Sequence, residues 1–442
     1  MIDSKDLLAS VLETEKWLED WEIETKHGLR WKQAPESDKN VDLEPLMYPK
    51  SLYGGSSGIA FFLLRLYLVT KEERYLKKAQ SAADEIITTY SRDDFKEASG
   101  TYAGIPTGLY NGNSGQAYFV ENLYQVLKKE NREDIDKYHR FTLKVADNLV
   151  ESQINGIWSD TVSIIGDGGN VLFLVYVYEL THDASYLKAI EQAGDYFVSK
   201  ARVAKIGKRW YAMDSVAFGL GKEGYFPNFL YGTSGNAYLL AVLYKVVGKA
   251  KYLETARQGA QYVESVAVNK NKGKLIPYNV PYRSDLYYLG MCQGPVGTSR
   301  LFKILYEITG EDHYKVYVRS LTEGILSTGA PLVHSPGYWG TYCYCCGAAG
   351  MLEHFLSADT FLNTSDYLSI SIDSAKALIG DSYIDHGKRR WYTAWTRLLP
   401  KDIEVYTGLY HGSSGCANAL LSLYNELNEK IELPGFLEDY WV

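Results

Sequence analysis

The stretch Gly232-Thr-Ser-Gly235-Asn-Ala-Tyr-Leu-Leu-Ala-Val-Leu-Tyr244 joins a glycine loop to a run with almost no polar face. A helix apolar all round belongs in a core. The design recurs at Gly55-Ser-Ser-Gly58 before Ile59-Ala-Phe-Phe-Leu-Leu-Arg-Leu-Tyr67, and at Gly412-Ser-Ser-Gly415 before Cys416-Ala-Asn-Ala-Leu-Leu-Ser-Leu-Tyr424. Gly112-Asn-Ser-Gly115, Gly166-Asp-Gly-Gly169, Gly294-Pro-Val-Gly297 and Gly347-Ala-Ala-Gly350 complete the set. Successive first glycines are 57, 54, 66, 62, 53 and 65 residues apart, so seven loops define an internal repeat. Glycine allows a tight entry, and the Ser, Asn or Thr inside several loops is expected to cap the new helix.

A second set of segments alternates with these runs. Arg74–Ile86, Ser185–Phe197, Lys251–Val263 and Asp366–Leu378 carry apolar residues at three- and four-residue spacing beside a charged face. That pattern reads as amphipathic surface helix. Six such segments lie between loops and Asp6–Leu18, ahead of the first loop, supplies a seventh, so seven surface helices alternate with seven buried ones. Strict alternation predicts an all-α fold, an α/α toroid with an inner ring of seven helices inside an outer ring of seven. Closure gives every repeat two neighbours and removes the need for polar capping repeats; an open solenoid is the competing layout. Linkers such as Ile206–Asp214 and Asp385–Trp395 read as short hairpins. No boundary divides the chain, so residues 1–442 are expected to form one domain.

Composition narrows the function. The chain has 442 residues, 46% of them hydrophobic, and a net charge of −8 with both signs dispersed. No basic block exists to track phosphates, which argues against nucleic-acid binding. The start, Met1-Ile-Asp-Ser-Lys-Asp-Leu-Leu, lacks a signal-peptide core, and the most apolar run is too short to span a bilayer. Five cysteines with a clustered triplet do not resemble a disulfide framework. These features predict a soluble, cytoplasmic protein. The 38 tyrosines read as aromatic packing between helices with hydroxyls reaching backbone or solvent, or as a groove for a flexible polypeptide.

The cysteines carry the chemistry. Tyr342-Cys343-Tyr344-Cys345-Cys346-Gly347 holds three of the five, and Met291-Cys292-Gln293-Gly294 holds a fourth at the same place in the preceding repeat. If all seven loops share one face, the residue before each first glycine points to the mouth: Gly54, Asn111, Ile165, Tyr231, Gln293, Cys346 and His411. Loops five and six are then ring neighbours, and Cys292 approaches Cys345 and Cys346. Three thiolates and an open position would make a catalytic type of zinc site, one ion per chain. A closed structural site that adds Cys343, or buried free thiols, are the other readings of the same residues.

The seven loops, Cys292-Gln-Gly and Cys345-Cys346-Gly together resemble the lanthipeptide cyclase (LanC) family over nearly the whole chain. The resemblance implies zinc at one end of the inner ring, held by Cys292, Cys345 and Cys346, the last in a place usually filled by histidine. It implies a lanthionine synthetase that adds cysteine thiolates to dehydroalanine or dehydrobutyrine in a precursor peptide, closing thioether rings. It also implies work alongside a separate dehydratase and an exporter, since the repeats leave no segment for dehydration. The sequence departs from the family in its proton-transfer positions. Tyr231 stands where a histidine acid/base is frequent and Gln293 where tyrosine follows the first ligand. Tyr288 replaces an arginine, with Arg283 farther upstream, and a family aspartate near the third loop falls on Asp160 or Asp167. The enolate formed after thiol addition needs a proton. His411, the only rim histidine, is expected to supply it, with Tyr231 as the alternative and Asp160 in support. Gln293, Asn111 and Arg283 are expected to contact the peptide. His334 and His354 read as structural.

Three other functions fit parts of this pattern. A relative within the family could add glutathione to dehydroamino acids. A carbohydrate-active toroid would need paired carboxylates at the mouth, where only Asp167 lies inside a loop. A non-catalytic, zinc-stabilised scaffold could bind a peptide without turning it over.

Overall fold

In the computed structural model, which describes residues 4–36, 49–91, 108–159, 161–211, 224–333, 338–339, 341–394, 401 and 403–442, each of the seven glycine loops opens a helix. These inner helices are α2 (Ser56–Thr70), α4 (Asn113–Lys129), α6 (Asp167–Thr181), α8 (Thr233–Val247), α10 (Pro295–Thr309), α12 (Ala348–Leu362) and α14 (Ser413–Leu427). Twelve consecutive residues from Ser56 to Tyr67 are buried in α2, and α8 is buried without a break from Thr233 to Leu243. The outer helices are α1 (Ser4–Glu19), α3 (Glu73–Thr88), α5 (Asp136–Ser152), α7 (Ala184–Lys200), α9 (Ala250–Val266), α11 (Asp312–Leu326) and α13 (Leu368–Gly380). In α9 the buried positions Tyr252, Thr255, Ala256, Gly259, Ala260 and Val263 follow the helical period and face inward onto α8.

Each inner helix packs on the next, and α14 packs back onto α2. The chain's first helix, α1, lies against its last inner helix, α14, completing the outer layer. The fold is therefore a closed α/α toroid, and the open solenoid is excluded by the contact between first and last repeats. The strands among the described residues are short and two-stranded in their sheets. Arg202–Val203 pairs with Lys208–Arg209, and Tyr383–Asp385 with Lys388–Arg390, at the two linkers expected to be hairpins; residues 212–214 and 395 of those linkers lie outside the described residues. Each hairpin ends on a buried tryptophan whose indole N–H donates to the preceding outer helix: Trp210 to Phe197 O at 2.8 Å and Trp391 to Leu378 O at 2.6 Å.

The loop glycines are needed for close approach. The first glycine of each loop is itself the N-cap, with φ between −101° and −140°, and all but Gly166 are extended. The second has no room for a side chain. A Cβ at Gly58, Gly115, Gly235, Gly297, Gly350 or Gly415 would lie 1.8–2.2 Å from the carbonyl oxygen six residues earlier. The expected Ser, Thr and Asn caps do not form. Those side chains tie the incoming linker to the helix start instead. Ser56 Oγ donates to Pro49 O and Ser57 Oγ to Lys50 O, while Thr233 and Ser413 accept the backbone N–H of Trp210 and Trp391.

The inside of the inner ring is filled by the chain's own last residues. Phe436 stacks on Tyr344 at 4.4 Å and also meets Phe61 and Tyr410. Tyr118 OH donates to Gly435 O, Tyr238 OH to Glu438 O and Tyr410 OH to the Glu438 carboxylate. Arg300 grips Asp439 through two bonds of 2.7 and 2.8 Å. Burial raises the Glu438 carboxyl to about 7 against the opposing pull of Arg300. Tyr118, Tyr238 and Tyr410 thus pack with their hydroxyls on tail backbone and carboxylate.

Replacing Gly415 by Ala is expected to destabilise the protein by about 2 kcal/mol or more, because backbone must move to admit the Cβ. Gly380→Ala, where a Cβ meets nothing within 4 Å, should be neutral or stabilising by up to about 1 kcal/mol. Urea unfolding of the two variants beside the parent checks the contrast.

Candidate metal and thiol site

The mouth of the ring is built by backbone pairing between neighbouring loops. Tyr53 N–H donates to Tyr110 O, Tyr410 to Tyr53, Cys345 to Tyr410, Cys292 to Cys345, Leu230 to Cys292 and Ile165 to Leu230, all at 2.8–3.1 Å. The remaining junction is a close approach: a Cβ at Gly108 would lie 2.3 Å from Ile165 O. Gly290 does the same work beside the cysteines, since a Cβ there would lie 2.5 Å from Cys346 Cα. Loops five and six abut because of that missing side chain and the Cys292–Cys345 hydrogen bond of 3.1 Å.

Cys292, Cys345 and Cys346 consequently place their sulfurs within 4.8 Å of one another. Cys345 Sγ is 3.4 Å from Cys346 Sγ. Tetrahedral zinc with Zn–S bonds of about 2.3 Å sets its sulfurs about 3.8 Å apart, so the donor set suits that ion. A second triplet, Cys343, Cys345 and His411, is equally close. Cys343 Sγ lies 3.6 Å and His411 Nδ1 3.8 Å from Cys345 Sγ. Cys345 is common to both and fully buried. Burial and the adjacent Cys343 sulfur push the Cys345 thiol well up, and the hydrogen-bonded Cys345 does the same to Cys292. Thiols crowded like this cannot all ionise without a cation among them.

Tyr53, which sequence reasoning missed, sits over the cluster. Its hydroxyl is 3.1 Å from Cys345 Sγ, and its ring stacks on Tyr410 at 5.5 Å and near-parallel to His411 at 6.4 Å. Burial, then the adjacent Cys345 sulfur, raises its pKa far above the ordinary range, so the hydroxyl keeps its proton. Tyr53 holds the place in loop one that Cys292 and Cys345 hold in theirs, two residues before the glycine, and that register was the available signal.

The other expected site residues divide. His411 is buried against Tyr406 and the cluster. Gln293 is 3% exposed, and neither its amide nitrogen nor its oxygen has a hydrogen-bond partner. Asn111 is also buried, with an unpartnered carbonyl oxygen, three loops round the ring from Gln293. Tyr231 is half-buried against Phe226, in the loop whose Leu230 bonds Cys292. Arg283 is exposed, and its backbone closes a turn with Asn279; no contact joins it to the sulfurs. Asp160 and His334 lie outside the described residues. Asp167 is fully buried and accepts from the Ser159 N–H and hydroxyl at 3.0 and 2.8 Å, which turns it into its own loop. His354 is buried in α12, 3.0 Å from the Thr322 hydroxyl.

The family described as lanthionine synthetase C-like protein matches residues 47–438. The chain belongs to that family. Among solved structures, nisin cyclase superposes with a TM-score of 0.63 at 15% identity, covering 96% of this chain and 94% of the other. The Lin0763 protein from Listeria innocua matches with a TM-score of 0.50 at 11% identity, covering 97% and 99%. At those identities both likenesses concern the fold. No curated protein sequence matches. No described helix of this lanthionine synthetase C-like chain is long and apolar enough to cross a membrane.

Elemental analysis should find about one zinc per chain. Cys292→Ala, Cys345→Ala and Cys346→Ala should each lose or weaken it while Cys416→Ala keeps it, since Cys416 Sγ is turned away to Tyr342 O at 3.3 Å.

Proposed function

We propose that this lanthionine synthetase C-like protein is a zinc-dependent cyclase that joins cysteine thiols of a dehydrated peptide to its dehydroalanine or dehydrobutyrine residues. The observation that carries the reading is the meeting of Cys292, Cys345 and Cys346 at the mouth of a ring, within 4.8 Å of one another. Zinc bound there would hold a substrate thiol as thiolate, and three anionic sulfur ligands would keep that thiolate electron-rich rather than favour activated water. In the reaction, the sulfur lone pair forms a C–S bond at the β-carbon and the double-bond pair moves onto the α-carbon side. A proton delivered to the α-carbon completes the thioether, so the thiol's hydrogen is conserved in the product.

His411 is the residue we assign to that proton, from its position 3.8 Å from the Cys345 sulfur. Tyr231, in the loop bonded to Cys292, is the alternative donor. The unpartnered amide of Gln293 suits a peptide backbone group arriving at the sulfurs, because a substrate that leaves no buried donor or acceptor unmatched recovers their desolvation cost. Asn111 offers a further acceptor on the same rim. The dehydrated peptide would come from a separate dehydrating enzyme.

The second triplet favours one other reading. Cys343, Cys345 and His411 could close a structural metal site in a chain that binds a peptide without converting it.

A dehydrated, cysteine-containing peptide separates these readings. Ring closure leaves the peptide mass unchanged and removes one alkylatable thiol per ring, whereas transfer of glutathione adds that tripeptide's mass. Cys346→Ala should lower the ring-closure rate by more than about 100-fold, and His411→Ala by about 100-fold or more with zinc content retained. No loss of thiol and no adduct with the zinc-loaded protein would leave the structural site as the better account.

A further inference from the structure

A second polar centre lies inside the ring, apart from the sulfurs. It is a cavity of about 180 Å³ between α2, α10, α12 and the tail, lined by Arg65, Arg300, Lys303, Glu353, Asp439 and Ser357, among others. Two of its three cations have a carboxylate to answer them. Arg300 is bonded twice to Asp439. Arg65 and Glu353 share the Ser422 hydroxyl, at 2.9 and 2.6 Å. Lys303 is different. It is 3% exposed, and its ammonium makes one hydrogen bond, to Ser357 Oγ at 2.6 Å, with the Phe361 ring 5.6 Å away. Among the described residues no carboxylate lies within ion-pair distance of it. Two of its three N–H donors therefore have no acceptor among the described residues. Arg65, 6% exposed, also has a buried Nε–H without a partner on the same cavity.

A buried cation with no carboxylate in contact and an incomplete set of acceptors is strongly unfavourable. Counting the lining side chains, three positive groups face two negative ones. One added negative charge balances the set and supplies the missing acceptors. The volume holds a small ion with some water and excludes a peptide chain. Asp439, one-third exposed, marks where the cavity meets solvent.

We infer that this cavity binds a small inorganic anion, a halide or an oxyanion, on Lys303 and Arg65. Bound there, the ion joins α2 and α10 across the ring and supports the tail that fills it. Without it, burial and the neighbouring Arg300 drive the Lys303 ammonium down to about 8, against the pull of Asp439. Neither the metal site nor cyclase activity is needed for the ion to bind.

The test is thermal unfolding of the full chain at constant ionic strength, exchanging a bulky organic sulfonate for chloride or for phosphate. A saturable rise in Tm of about 2 °C or more is expected with the ion that fits. A rise with chloride alone identifies a halide site, and with phosphate alone an oxyanion site. Lys303→Met should fold, because removing an uncompensated buried charge relieves a cost, and should lose the response. Chloride-35 NMR line broadening on the wild type, relieved by the better ligand, gives a readout independent of the variant. Equal Tm in all three salts with no excess broadening would overturn the proposal, as would an undiminished saturable response in a folded Lys303→Met.

Discussion

Six backbone hydrogen bonds run from loop to loop around the mouth of the toroid, each joining residues that immediately precede the glycine loops. Singly each is a modest net term of about 0.5–1.5 kcal/mol. Their importance is positional, because a buried N–H left unpaired costs about 1–3 kcal/mol, and the residues that make these bonds are buried. The register between neighbouring repeats is therefore fixed to a single residue. Cys292 and Cys345 are two consecutive members of this belt, which is how residues fifty positions apart come to share a metal-sized space. Gly290 completes the approach, since any side chain there would collide with Cys346.

The same constraint explains what could be read from the chain beforehand. The alternation of all-apolar and amphipathic segments was enough for the number of helices, their layer and the closed ring. Periodicity reports burial directly, and burial is what distinguishes inner from outer helices. The meeting of Cys292 with Cys345 and Cys346 followed from equal position in adjacent repeats. Capping was misread because Ser and Thr after a glycine have two uses. In α2, α8 and α14 they bind the linker that precedes the helix rather than the helix N–H groups. Tyr53 is not distinguished by its residue type, because a tyrosine in a tyrosine-rich chain carries little signal, although its loop position matches that of Cys345. Arg283 lies on the surface, its backbone in a turn with Asn279, a placement that offset along the chain does not report.

The tail is the feature that no local pattern announced. A toroid of seven inner helices encloses space that must be filled, and residues 435–441 fill it with Phe436, Leu437 and Glu438. Tyr118, Tyr238 and Tyr410 turn their hydroxyls onto this segment, which accounts for several of the many tyrosines as interior polar partners. Tyr410 also stacks on Tyr53, and Tyr53 reaches the sulfur of Cys345. The packed interior and the thiol site are thus continuous, with one layer of aromatic rings between them.

The proposed metal centre takes its sulfurs from neighbouring repeats, which the ring's register brings together. Zinc-edge X-ray absorption on the zinc-loaded chain measures it most directly. About three sulfur scatterers near 2.3 Å, reduced by one in Cys292→Ala, is the predicted result. A shell of nitrogen and oxygen alone, or an unchanged sulfur count in that variant, would contradict it.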